Sequence, residues 1–447
     1  MHLVKRLAAI LALAPLAGSI ARADTVDVTS TTMIRAGQET RNGAAGQKPE
    51  LDTVAPAFEI LSITARNVTN PLVDDLSIVL STWGSYDIAD RRWDNGTNSN
   101  LTGDVMTGYL QGRLLDRRLT LRIGREHVMT GAARMIQLDG GEAIAVLPLG
   151  VRLSAYVGSP VSQRFTSHRA IYNWNPAGGD LAYGGRAAWS YGLPGLPGRG
   201  IDLGVSANVV QDHKDPVRQE VAGDARLQPW RDLTLTGFAA YSLYDDRWSE
   251  FGGRASWSAT RALRLEADAR HLAPDLLLAR NSILSVFTSE ERNVFGAGAY
   301  YRLAHGLQLG AAWHVDVEPG RNQGDAKYLG HEGEARIEWE RARDSAGAEV
   351  LYLRALENGY VAGRVFGRHQ MGRFFAAADV LANFFREKVN DEKLAITGAL
   401  TGGIELARGF SAVVSGRAGV TPFFEQTYDV MAKLVYNQSY TIRSEVR

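Results

Sequence analysis

The stretch "HGLQLGAAWHVDVE", residues 305–318, decides the fold class of this chain. Leu307, Leu309, Ala311, Trp313, Val315 and Val317 alternate with Gln308, Gly310, Ala312, His314, Asp316 and Glu318. Successive side chains of a strand point to opposite sides, so this segment is a strand with one apolar and one wet face. A soluble protein turns such an apolar face to a core. An outer-membrane barrel turns it to lipid and lines the lumen with the polar face.

The pattern recurs. "LLDRRLTLRIG" (114–124), "LPLGVRLSAYVG" (147–158), "PWRDLTLTGFAAYSL" (229–243), "TRALRLEADARHL" (260–272) and "LARGFSAVVSGRAGV" (406–420) each open on a short turn and continue as an alternating run. Nearly every one follows another alternating run, such as "VFGAGAYYRL" or "ITGALTGGIEL", so the repeated unit is a hairpin. Tight turns near residues 69, 116, 148, 197, 231, 261, 305, 343, 370 and 408 lie at one end. Longer polar stretches, including "DRRWDNGTNSNLTGD", "SPVSQRFTSHRAIYNWNPAGG", "EPGRNQGDAKY" and "KVNDEK", lie at the other. With both termini on one side these turns predict about 22 strands, and the weaker segments 29–36, 136–146 and 346–368 leave about 18 or 20 open.

Strand length and ring placement choose between the two orientations. Soluble strands average about 5–6 residues and tilted membrane strands about 9–11, and most segments here are of the longer kind. Trp189, Tyr191, Tyr241, Trp257, Tyr301, Trp313, Trp339, Phe384, Tyr428 and Tyr440 stand on the apolar face, mostly towards strand ends. Amphipathic rings there form the two interfacial girdles of a membrane barrel. The expected fold is therefore all-β: a single transmembrane antiparallel up-and-down barrel over 24–447, with short periplasmic turns and longer outer loops.

The start of the chain agrees. Lys5 and Arg6 precede the apolar "LAAILALAPLAG", and Ala21-Arg22-Ala23 completes a secretory signal peptide over residues 1–23, cleaved before Asp24. No later run approaches the roughly 18 apolar residues of a membrane helix, so any crossing is made by strands. The absence of cysteine removes disulfides, thiolate metal sites and lipid attachment through an N-terminal Cys. With 49 Lys plus Arg against 49 Asp plus Glu and no basic block, nothing points to nucleic acid.

In a barrel turned this way, Arg152, Arg186, Asp202, Asp224, Arg226, Arg254, Asp316, Arg364, Asp379 and Arg417 fall on the lumen face. Arg264, Glu266, Asp268 and Arg270 form one row, and Glu332, Glu334, Arg336, Glu338 and Glu340 another. A pore selective for one ion sign collects that sign at its constriction. Here the signs interleave, so cross-strand pairs, each worth about 0.2–1 kcal/mol, neutralise a wet wall suited to a neutral or weakly charged polar solute such as sugar.

Two loops add to this. Arg164, Phe165, Tyr172 and Trp174 in "RFTSHRAIYNWN" (164–175) mix rings with guanidinium groups and amides, a chemistry for sugar contact that packed loops also show. "DLLLARNSILSVF" (275–287) is too apolar for a loop left in water; constriction, partner docking and strand extension fit it equally. Neither H-E-x-x-H nor G-x-S-x-G occurs, so no enzyme is indicated. "DNGTNSNLTGD" (94–104) lacks the spaced acids of a calcium loop and reads as a loop tip, and no cofactor or metal site is expected.

As a whole, residues 29–447 resemble the Gram-negative, porin-like outer-membrane barrels. Within them, "LRIGREHVMTGAARMIQLDGGEAIAVLPLGVRLSAYVG" (121–158) carries the dipeptide Gly124-Arg125, then a loop, then Asp139-Gly140 opening the returning strand, and resembles barrels of the alginate-export type. That second likeness implies passage of an exopolysaccharide, a periplasmic export partner and about 18 strands. Barrels of the class usually end in an aromatic residue read by the barrel-assembly machinery, whereas this chain ends "SEVR", so its last strand stops near Tyr436 or Tyr440 or its insertion signal is atypical. The expected function is an outer-membrane channel for a polar, saccharide or exopolysaccharide solute. The alternatives are a general porin for small hydrophilic solutes and a closed structural or adhesive barrel. Expected partners are outer-membrane lipid, the assembly machinery and, for export, the periplasmic partner.

Overall fold

The computed structural model describes residues 23–41, 50–68, 73–88, 101–129, 131–132, 135–164, 172–174, 180–192, 200–212, 214–273, 276, 291–319, 327–355, 358–422 and 424–441. One antiparallel sheet runs through them in chain order and closes on itself as a 22-stranded barrel. The first strand, Ala23–Arg41, pairs with the second along Pro56–Val68 and with the last, Phe424–Thr441, from Thr25↔Thr441 to Gly37↔Asp429. Among the described residues every strand of the barrel is paired on both sides, which a bilayer demands because it offers no water to free N–H and C=O groups.

The three weak segments are all strands, lying within Ala23–Arg41, Met135–Val146, and Asp344–Ala355 with Gly359–Met371. The smaller counts fall away, and so does the figure of about 18 implied by the alginate-export likeness. Alternation was diluted there by Gly and by polar residues on the outer face, such as Ser30 and Thr32, which hydrogen-bond Glu59 of the neighbouring strand.

At the end carrying both termini, Leu149-Gly150 and His305-Gly306 turn the chain with both residues at positive φ. This is the type I′ arrangement whose twist suits a hairpin. The other end departs from expectation. "KVNDEK" is no long loop: Asn390 and Asp391, φ 50 and 67, make another two-residue turn, and residues 243–246 form a similarly short one.

Orientation follows from exposure. Ile123, Val205, Val365 and Leu400 are between 62 and 70 % exposed on the outer wall, in rows with Trp189, Trp257, Trp313 and Tyr428. So broad an apolar belt requires lipid around it. Arginine placed at mid-belt costs about 2–4 kcal/mol, whereas lumen positions are tolerant. Val205→Arg is expected to lower the urea-measured stability of the refolded barrel by about that amount, and Ser415→Arg, on the opposite face of its strand, by no more than about 0.5 kcal/mol.

Candidate functional site

The lumen wall is built by cross-strand register. Across six neighbouring strands, Arg264, Tyr300, Gly310, Arg336, Glu349 and Arg364 are consecutive Cα partners and form one inward row. On the strands of Arg264 and Arg336 the residues two positions along carry the opposite charge, and Arg364 finds its acids on the two neighbouring strands. Arg264 meets Glu266 at 3.2 Å, Arg336 lies 3.9 Å from Glu334 and 3.8 Å from Glu338, and Arg364 reaches Asp379 at 3.0 Å and Glu349 at 4.0 Å. A belt of arginines thus runs between carboxylates. Arg254 also bonds Glu266, Arg270 bonds Glu250 at 2.7 Å, and His314 stands 3.6 Å from Asp268. Arg152, on the same face, lies in the field of Glu142.

Beneath the belt lie rings that the alternation pattern had not marked, because they break the rule of rings outside and charges inside. Tyr300, Phe366 and Phe375 are on the inner face. The guanidinium carbons of Arg264 and Arg336 lie 4.8 and 5.4 Å from the centre of Tyr300, that of Arg364 5.0 Å from Phe366, and that of Arg368 4.9 Å from Phe375. Gly347 and Gly403 provide the seats. A Cβ at either would run into the ring of Phe366 or Phe375, so only glycine lets the rings lie flat on the sheet. Flat stacking on a ring immobilises a long guanidinium side chain, and the contact adds about 0.5–1 kcal/mol at exposed sites.

The second feature is an inward loop. Arg186 and Asp224, from strands Leu181–Gly192 and Asp215–Trp230, form a two-armed ion pair, one arm measuring 2.8 Å. Gly131, in the connection between Leu119–Met129 and Met135–Val146, presses on that pair with φ +63, where a Cβ would strike both partners. The backbone N–H of Ala132 donates to Asp224, and its methyl packs on Ala222 and Ala240. The connection therefore bends into the lumen and is latched to a strand four positions further round the barrel. Under and around it the inner wall is covered: Glu126, Asn208, Glu220, Ala240 and Ser249 are each at most 2 % exposed. Sequence reading missed this inward connection, since "TGAAR" carries no apolar excess; glycine at its tip is the one signal.

The loops singled out in sequence are placed only in part. Residues 162–164, including Arg164, pair with 172–174, including Tyr172 and Trp174, as a small hairpin whose backbone lies against the strand Leu101–Leu114. Phe165 and nearly all of 275–287 fall outside the described residues. The alginate-export signature takes an unexpected position. Arg125 and Asp139 are cross-strand partners bonded at 2.6 and 2.8 Å, with Asp104 at 3.2 Å, but they share the face of Leu121 and Ile123, opposite to the row of Arg122 and Glu142. The pair does not line the lumen.

No family model matches the chain, and no curated protein matches it in sequence. Solved structures do. The siderophore receptor PirA of Acinetobacter baumannii is similar with a TM-score of 0.56 at 8% identity, and PirA of Pseudomonas aeruginosa with 0.55 at 10%; each match covers 92% of this chain and 80% of the receptor. The fold is that of an outer-membrane β-barrel. OccAB2 of Acinetobacter baumannii is also similar, at 9% identity with a TM-score of 0.45 over 94% of this chain and 99% of OccAB2. Large receptor barrels of 22 strands hold a plug in the lumen. In this outer-membrane barrel the strands lie within 23–441, and among the described residues the connection carrying Gly131 and Ala132 reaches inner-face side chains.

The latch yields a direct test. Asp224→Ala removes the acceptor of both Arg186 and Ala132 and is expected to cost about 1.5–3 kcal/mol, as loss of hydrogen bonds to a charged group does. Gly131→Leu expels the tip by sterics alone. Both variants should raise single-channel conductance and make proteolysis within 129–135 faster; unchanged conductance in both would show that the connection is no constriction.

Proposed function

We propose that this chain is an outer-membrane channel for a polar solute of the saccharide class, narrowed by the latched 129–135 connection. The observation that carries this reading is the arginine belt with its flanking carboxylates. The wall is polar and strongly hydrogen-bonding, yet its charges cancel pairwise, so neither ion sign is favoured over the other along it. Flat rings and fixed guanidinium groups also suit a chain of hydroxyls better than a hydrated ion. Export of an exopolysaccharide through a periplasmic partner is the narrower form of the reading, and it rests on the likeness in 121–158, whose polar pair lies off the lumen.

The test is conductance of the refolded barrel in planar bilayers. A steady current with a potassium-to-chloride permeability ratio near one, blocked by neutral sugar oligomers and by polyethylene glycols below a size limit, is the expected result. A strong preference for one ion with no effect of sugars would reject the saccharide reading. An inserted barrel that carries no current would reject the channel itself and leave a structural barrel.

A further inference from the structure

At the periplasmic end of the belt the charge balance fails. A cavity of about 270 Å³ opens there between the strands Leu263–Leu272, Arg292–Arg302, Leu307–Glu318 and Lys327–Arg341. Its charged lining is Arg261, Arg264, Arg302 and Arg336, with Tyr300 and Gln308 between them and no carboxylate. Arg264 and Arg336 are partnered by belt acids, but among the described residues Arg261 and Arg302 have no ion-pair partner. Tyr300 also lines the neighbouring cavity of about 330 Å³, where Arg254 and Arg270 are matched by Glu266 and Asp268 beside Phe238 and His314. The two cavities meet at one ring. One is charge-matched and the other carries an excess of positive charge.

Local structure fixes the excess in place. The hydroxyl of Thr260 accepts from the N–H groups of Ala262 and Leu263, at 3.2 and 2.9 Å, and so holds the turn that carries Arg261. The N–H of Arg302 donates to the carbonyl of Ala262 at 2.8 Å, tying the second free arginine to the same turn. Four guanidinium groups around one pocket, two of them without an anion, suffer mutual repulsion that an anionic ligand relieves, and guanidinium recognises planar oxyanions through paired N–H donors.

We infer that this pocket is an anion subsite at the periplasmic mouth, binding the carboxylate or phosphate of a polar solute whose uncharged, hydroxyl-rich body lies along Tyr300 into the charge-matched cavity. The inference builds on the channel reading and sharpens its cargo from a neutral sugar to an acidic one, yet it concerns binding and is testable whether or not the barrel conducts. The acid group docks on Arg261 and Arg302, and Gln308 supplies a neutral hydrogen bond beside it.

The experiment is calorimetric titration of the detergent-solubilised full barrel with sodium glucuronate, glucose and inorganic phosphate, repeated on Arg261→Gln/Arg302→Gln and on Arg343→Gln, an arginine of a different turn at the same end. Glucuronate is expected to bind at least about tenfold more tightly than glucose, and the double variant to lose about tenfold of that affinity, while Arg343→Gln leaves it unchanged. Phosphate binding as tightly as glucuronate would assign the site to a phosphorylated solute, and weaker phosphate binding to a carboxylate; either supports the subsite. Equal affinity for glucuronate and glucose, or an equal loss in Arg343→Gln, would overturn it, the latter by showing only the general charge of the mouth. The temperature at which each variant loses its heat-modifiable band on a gel confirms that it is folded.

Discussion

Everything in this molecule depends on the join between its first and last strands. A bilayer offers no partner to a free backbone N–H or C=O, so a sheet inside it is stable only when it has no edges. Here the requirement is met by Ala23–Arg41 lying against Phe424–Thr441 over thirteen registered positions. Once the ring is closed, alternation does the rest. The same two-residue period that gives Leu307, Leu309 and Trp313 to lipid gives Gln308, Gly310 and His314 to the lumen, and a one-residue slip anywhere would exchange the two sets.

The inner wall shows how a polar surface can be crowded with charge and still be neutral. Arginines and acids alternate both across strands and along them, so each guanidinium of the belt has its counter-ion two residues or one strand away. The rings of Tyr300, Phe366 and Phe375 beneath them turn flexible side chains into fixed ones. Two departures from this order are informative: the pair Arg186–Asp224 holds a connection, and in the pocket around Tyr300 the described residues give Arg261 and Arg302 no acid partner.

Much of this was legible in sequence. Period-two alternation, ring placement and turn spacing led to a barrel of about 22 strands, because each depends on local chain geometry. The same period is what predicts a lumen face for Arg152, Arg186, Arg254, Arg264, Glu266, Asp268, Arg270, Glu334, Arg336 and Glu338. What was not legible needed contacts between distant residues. Nothing in "TGAAR" announces that Gly131 touches Asp224, and a hairpin turn such as Asn390-Asp391 looks like any polar loop until its φ angles are known. Tyr300, Phe366 and Phe375 escaped notice because a ring among charges reads as an exception to the pattern; only the glycines of neighbouring strands give it a seat. The bond between Arg125 and Asp139 was likewise not legible: the sequence marks Gly124-Arg125 and Asp139-Gly140 as two separate dipeptides flanking a loop, and only the register makes the two charged residues cross-strand partners.

Exposure is uneven round the inner wall. Inner side chains such as Glu126 and Ser249 have almost no contact with solvent, while Arg336, Glu338 and Arg364 keep 38 to 44 % of their side chains open. The charges left open to solvent therefore include those of the strands that carry the arginine belt. A polar molecule adhering to that arc would be held by one side of the ring, so adhesion to the wall, and not the nominal diameter of a 22-stranded barrel, would govern how long it stays.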